Sequence, residues 1–133
     1  MTIDYATGGR LLEAYGRART AFDGDAWVEL FTEDAAYHVD PFAPPLVGSL
    51  DLRRFLVESA RTQEQVEFTV ERHWVSGDTV LAAWHAGYVQ RATRDRMRLA
   101  GFMTVDVASD GRISRLHEWW MARPSTTSGQ EDR

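Results

Sequence analysis

Residues 66–91, VEFTVERHWVSGDTVLAAWHAGYVQR, decide the fold. From Val66 the side chains alternate. Val66, Phe68, Val70 and Trp74 fall on one side, and Glu67, Thr69, Glu71 and His73 on the other. A period of two is the mark of a strand with one buried face. Ser76-Gly77-Asp78 is a turn, and over 79–91 the residues Val80, Ala82, Trp84, Ala86 and Tyr88 share a face. The pattern continues downstream. Ala92 to Asp95 turn the chain, and 96–107 put Met97, Leu99, Gly101, Met103, Val105 and Val107 together. Ser109-Asp110-Gly111 is a further hairpin turn, and 112–122 form a last strand with both faces mixed.

Upstream the period changes. From Gly9 to Asp23, Leu11, Leu12, Tyr15, Ala18 and Phe22 recur at helical spacings of three and four. Residues 1–8 read as a loose lead-in. Gly24 is expected to end this helix in the left-handed conformation, and Asp25 to cap a short second helix through Phe31. A strand over 35–40 follows, then a turn holding Pro41, Pro44 and Pro45. Ser49 or Asp51 caps a third helix running to Thr62, with Leu52, Phe55, Leu56 and Ala60 as its apolar face. Helices grouped ahead of four sequential antiparallel strands make an α+β domain. Long twisted strands should curl around the three helices as a cone-shaped antiparallel sheet enclosing a pocket. A single domain is expected over 1–123. The polar residues 124–133 read as a disordered tail.

Composition narrows the function classes. The chain has 133 residues, 44% of them hydrophobic, enough for one core. It contains no cysteine, which excludes disulfides and thiol nucleophiles. A net charge of −5 with both signs interspersed gives no footprint for nucleic acid. Arg91, Arg94, Arg96 and Arg98 are interrupted by Asp95 and read as a solvated hairpin rather than an anion site. No apolar run is long enough for a membrane helix, and no signal peptide is visible, so a cytoplasmic location is the expectation. His73, His85 and His117 share no metal-like spacing and fall opposite the apolar stripe. No metal and no cofactor are expected.

The chemistry-bearing stretch is EDAAYHVDPFAPPLVG, residues 33–48, with three of the four prolines. His38 and Asp40 lie on one strand face beside a rigid turn. Asp40 reads either as a general base or as the turn opener that holds the proline loop. Strict alternation puts Tyr37 and Val39 inward; a bulge is needed to turn Asp40 in. His38 reads as a structural or surface histidine, or as a second group touching the same ligand.

Several runs carry a family resemblance: GDAWVELFTEDAAYHVDP at 24–41, Pro44-Pro45 with Gly48, DGRI at 110–113 and HEWW at 117–120. Across residues 8–122 the chain resembles the nuclear-transport-factor-2-like superfamily, which includes SnoaL-like and ketosteroid-isomerase-like domains. The resemblance implies that Asp40 is the general base, Tyr15 a phenol donor, and Trp84 and Trp120 pocket walls. Leu116 and Glu118 then share the face of Trp120 by alternation. A Glu118 carboxyl in such a cavity would have a raised pKa and act as general acid opposite Asp40, or else pair with an arginine such as Arg54 or Arg72. Tyr15 reads alternatively as a ring packed on the sheet. The isomerases' second acid falls at Met103, which cannot donate a hydrogen bond, and their second pocket aromatic at Leu56. The ketosteroid isomerase mechanism itself is therefore not expected.

Two function classes follow. One is a cofactor-independent isomerase, lyase or cyclase. It would act on an apolar cyclic molecule with Asp40, Glu118, His38 and Tyr15 as its acids and bases. Trp84, Trp120, Met103, Phe68, Leu116 and Phe55 would wall the pocket. The other is a non-catalytic ligand-binding or dimerising domain of the same fold. A homodimer is expected through the outer sheet face, where His117, Trp119 and Phe102 gather.

Overall fold

The computed structural model describes residues 2–125. Three helices, α1 (Tyr5–Ala21), α2 (Gly24–Glu29) and α3 (Gly48–Thr62), pack on a six-stranded sheet. The strands are β1 (Phe31–His38), β2 (Leu46–Val47), β3 (Gln63–Ser76), β4 (Thr79–Gln90), β5 (Arg96–Val107) and β6 (Ile113–Pro124), in the order β2-β1-β6-β5-β4-β3. The α+β cone is as expected. The sheet is mixed rather than antiparallel throughout, because β1 runs parallel to β6, with Tyr37 opposite Leu116 and His38 opposite His117. This pair joins segments far apart in the chain, and no local pattern announces it.

The helix ends differ from their sequence reading. Asp4 accepts from Thr7 N at 2.8 Å and starts α1 at Tyr5, inside the expected lead-in. Its glycines suit close packing: a Cβ on Gly8 would lie 3.1 Å from Val75 and 3.3 Å from Val80. The left-handed residue that ends α1 is Phe22, at φ 53°, not Gly24. Asp23, not Asp25, caps α2 by accepting from Ala26 N at 3.1 Å. Neither Ser49 nor Asp51 is the N-cap of α3. Val47 is, and Asp51 reaches back to its N–H at 3.2 Å.

The period of β4 and β5 holds, with Val80, Ala82, Trp84, Met103, Val105 and Val107 buried on the inner face. In β3 the register slips between Val70 and Arg72. That extra residue reverses the alternation beyond it. Trp74 therefore lies on the outer face, 6.1 Å from Phe102, with the Arg72 guanidinium 4.9 Å over its ring. His73 turns toward α1, stacked on Tyr5 at 3.8 Å, with Nε2 3.1 Å from Tyr5 O. Both placements reverse the sequence reading. Arg91 and Arg94 clamp Glu64 at 2.8 and 2.6 Å, so half of the basic cluster pins a sheet corner. Pro124 closes β6 and Ser125 N donates to Arg96 O, so strand pairing reaches into the expected tail. The rest of that tail, 126–133, lies outside the described residues.

Candidate functional site

The inner face of β6 puts Leu116 in the core and Glu118 at its edge. Glu118 is only 7% exposed, yet it has no arginine within ion-pairing distance among the described residues. Two phenols hold it instead. Tyr15, from α1, donates to Oε2 at 2.8 Å, and Tyr37, from β1, donates to Oε1 at 2.6 Å. A helix and two strands meet at this one carboxyl. Such bonds to a charged acceptor are strong, and they offset part of the cost of burial.

The electrostatics follow from that burial. Desolvation pushes the Glu118 pKa above its ordinary 4.5, against the opposing pull of the Tyr37 and Tyr15 hydroxyls and the Arg19 charge. Burial, and then the neighbouring Glu118 charge, drive both phenol pKa values upward, so the two hydroxyls stay protonated and remain donors. Arg19 lies one turn beyond Tyr15 on α1. Burial works against its charge, but Tyr15, Tyr37 and Glu118 together outweigh it and raise its pKa.

Above Glu118 opens a cavity of about 200 Å³. Its walls include Phe55 and Ser59 of α3, Phe68 of β3, Trp84 of β4, Leu99 of β5 and Trp120 of β6. The Phe68 ring meets Tyr15 edge-on at 5.5 Å and Trp84 at 5.6 Å. Gly101 explains how Trp84 fits. A Cβ there would stand 2.7 Å from Trp84 Cε2, so the indole packs against bare backbone. A larger groove, about 740 Å³, runs between α1 and β3 past Arg10, Glu13, Arg17 and His73. It is an open surface groove without a buried ionisable side chain, and Glu118 is not in it. The smaller cavity is the one that holds the buried carboxyl.

A family model for the SnoaL-like domain matches residues 12–116. The chain belongs to the SnoaL-like family. Solved structures agree on the fold. SalBIII, an epoxide hydrolase/cyclase-like enzyme in pyran ring formation in the polyether salinomycin, superimposes with a TM-score of 0.80 at 20% identity, over 92% of this chain and 98% of its own. A designed 17-OHP binder gives 0.79 at 17% identity, over 90% and 98%. A Catenulispora acidiphila protein of ketosteroid isomerase-like fold, in complex with trimethylamine, gives 0.75 at 16%, over 82% and 83%. No curated protein matches the sequence.

Within this SnoaL-like domain the expected site residues part company. Tyr15, Glu118, Trp84, Trp120, Phe68 and Phe55 come together around the cavity. Met103 and Leu116 are fully buried in the core and do not line it. Asp40 is outside. Its carboxylate accepts from Phe42 N at 2.9 Å and its backbone O from Ala43 N, the turn-opening role. The bulge that would turn it inward is absent. The register slip in β1 lies between Phe31 and Ala36, so Tyr37 and then Val39 face the cavity. Trp120 Nε1 donates to Val39 O at 2.9 Å and holds that register at the rim. His38 stacks on His117 at 3.9 Å on the other face. Its pKa is lowered by desolvation first, then by His117 and Arg115. Neither arginine foreseen for Glu118 reaches it: Arg54 pairs with Asp51 and Arg72 covers Trp74.

Tyr37 and Arg19 were not singled out by the sequence reading. Alternation already set Tyr37 inward, two residues from Val39. The Tyr15–Arg19 spacing of four on a buried helix face was the available signal for Arg19. Among the described residues no three His, Asp or Glu side chains are grouped to hold a metal, and no helix is long and apolar enough to cross a membrane.

Proposed function

We propose that this cavity binds a small cyclic molecule and that Glu118 moves a proton on it. One observation carries the reading: a carboxyl at the floor of an apolar cavity, with its two oxygens held by two different phenols. A carboxylate has about four lone-pair sites, and two remain when each phenol takes one. Desolvation makes Glu118 a stronger base than an exposed glutamate, which suits proton abstraction near neutral pH. In the step proposed, Glu118 takes a proton from the carbon beside a carbonyl. The C–H electron pair passes into an enolate, and the protonated carboxyl returns the proton to the same carbon or, where the enolate is conjugated with a double bond, to the far carbon of the dienolate, which shifts that double bond. That is isomerase chemistry; expulsion of a β-substituent that leaves with the enolate pair and takes the carboxyl's proton would be lyase chemistry, and attack of the enolate on a second carbonyl of the same molecule, whose oxygen takes that proton, cyclase chemistry. Enzymes and binders both occur on this fold, as SalBIII and the designed binder illustrate.

The alternative is binding without turnover. It is favoured by Asp40 lying outside, which leaves Glu118 as the one buried carboxyl among the described residues. Solvent-deuterium exchange at the acidic carbon of 2-tetralone, followed by proton NMR, separates the two. Catalysis predicts exchange accelerated by the protein, slowed about 10²-fold in Glu118→Gln, and unchanged in Asp40→Asn. Equal exchange with wild type and Glu118→Gln refutes the catalytic assignment, and no acceleration at all leaves the binding reading.

The same reading includes a homodimer through the outer sheet face. Its support is the exposed aromatic row of Trp74, Phe102 and Trp119, with His117 stacked on Trp119 at 5.4 Å. Sedimentation equilibrium at micromolar concentration should give twice the chain mass, and Trp119→Lys should halve it. A wild-type monomer would remove this part of the reading.

A further inference from the structure

Two residues that line the cavity each carry a donor with no acceptor among the described residues. Arg19 Nη1 and Trp84 Nε1 are both buried, and neither has a hydrogen-bond acceptor among the described residues. An unpaired indole N–H is a modest cost. An unpaired N–H on a half-buried guanidinium is a larger one, and such a group in a folded protein calls for a partner. Glu118 acts on Arg19 through its charge, but each of its oxygens accepts from a phenol and it forms no ion pair with Arg19 among the described residues. The Arg19 guanidinium carbon lies 5.4 Å from the centroid of the Phe55 ring, a cation–π contact that helps hold the side chain at the cavity.

We infer that the natural ligand is a one- or two-ring carboxylate, whose carboxylate accepts from Arg19 Nη1 and Trp84 Nε1 while its ring lies between Phe55, Phe68 and Trp120. A charged N–H donating to a carboxylate makes one of the stronger hydrogen bonds. The size follows from the cavity. At about 200 Å³ it falls below the ~300–1,000 Å³ of sites for drug-sized ligands, which suits one or two rings. The inference rests on the cavity being a small-molecule site, and it adds a charge and a size to what that site takes.

The test uses the whole protein and four probes: benzoate, 2-naphthoate and their two neutral amides. Binding is read by calorimetry and by tryptophan fluorescence, since Trp84 and Trp120 both line the cavity. Each carboxylate should bind at least about tenfold more tightly than its amide. Arg19→Gln should weaken 2-naphthoate about tenfold and its amide less, so that the carboxylate–amide ratio falls toward one, and Trp84→Phe should weaken 2-naphthoate about tenfold, with the fold checked by circular dichroism. The carboxylate–amide comparison is made on wild type, so it stands even where a variant fails to fold. Amide and carboxylate binding alike, or no probe binding at about 10 mM, overturns the inference. So does a folded Arg19→Gln variant with unchanged affinity. Deuterium exchange on 2-tetralone that still needs Glu118 would then show that the proton-transfer reading survives without it. Carboxylate binding through Arg19 with exchange indifferent to Glu118 would show the reverse.

Discussion

Glu118 and Asp40 are two carboxylates near one cavity, with opposite surroundings. Glu118 is buried, held by Tyr15 and Tyr37, and pushed toward its neutral form by desolvation. Asp40 is exposed and accepts from the amide of Phe42 in its own turn. The family resemblance points to Asp40. The geometry favours Glu118. What separates them is one residue of register: β1 enters its turn with Val39 inward, so the next residue points away. A carboxylate beside a proline turn is a common structural device. A carboxyl between two buried phenols costs stability, which is the better reason to look for chemistry there.

The largest test of this contrast is truncation. Glu118→Ala strands two buried phenols and opens a void. It should cost about 3 kcal/mol or more by urea unfolding. Asp40→Ala, on the surface, should stay within about 1 kcal/mol. Equal losses at the two positions would break the comparison.

A register swap sharpens it. Val39→Asp drives a carboxylate against the cavity wall and should cost about 1–3 kcal/mol. Asp40→Val should change stability far less. The reverse ranking would mean that Asp40, not Val39, faces inward.

The phenols come next in size. Tyr15→Phe and Tyr37→Phe should each cost about 1–2 kcal/mol. Each loss should shrink when Glu118 is already Gln, because the pair is coupled. Additive losses in that double-mutant cycle would mean that the hydroxyls stabilise the fold independently of Glu118.

Smaller is the pH dependence. The folded Glu118 binds its proton more tightly than the unfolded chain does. Its contribution to stability is therefore fully present below pH 4.5 and is lost as pH rises through the folded value. Urea midpoints should carry this component in wild type and lack it in Glu118→Gln. His38 has the opposite sign and should be the smallest effect. Its pKa is lowered from 6.5 by desolvation and then by His117 and Arg115. Its contribution is present above 6.5 and is lost as pH falls through the folded value. In His117→Asn the imidazole titration of His38, followed by NMR, should move back up.

How much of this could be read in advance follows from how local each signal is. β4 and β5 announce themselves, since alternation is a property of consecutive residues. The β3 slip at Arg72 is not announced, and it alone moves Trp74 out and His73 in. The start of α1 was hidden by Gly8 and Gly9. They look like a loop in sequence and are packing contacts against Val75, Val80 and His73 in space. Half of the site could be found in advance: Trp84 follows from strand parity, Trp120 from the family resemblance, and Glu118 from Trp120 by parity. The bond from Tyr37 to Glu118 could not, because it depends on the parallel pairing of β1 with β6. Arg19 was missed for a simpler reason. A charged helix residue normally faces water, and this one is half-buried, with its guanidinium over the Phe55 ring and its side chain against the cavity.

The most direct measurement is the carbon-13 titration of the Glu118 side-chain carboxyl, in wild type and in Tyr37→Phe. The account predicts a midpoint above the ordinary 4.5 in wild type. It predicts a further rise in Tyr37→Phe, because the lost phenol had been stabilising the charged form. A wild-type midpoint at or below 4.5, unmoved when the Tyr37 hydroxyl is removed, would contradict it.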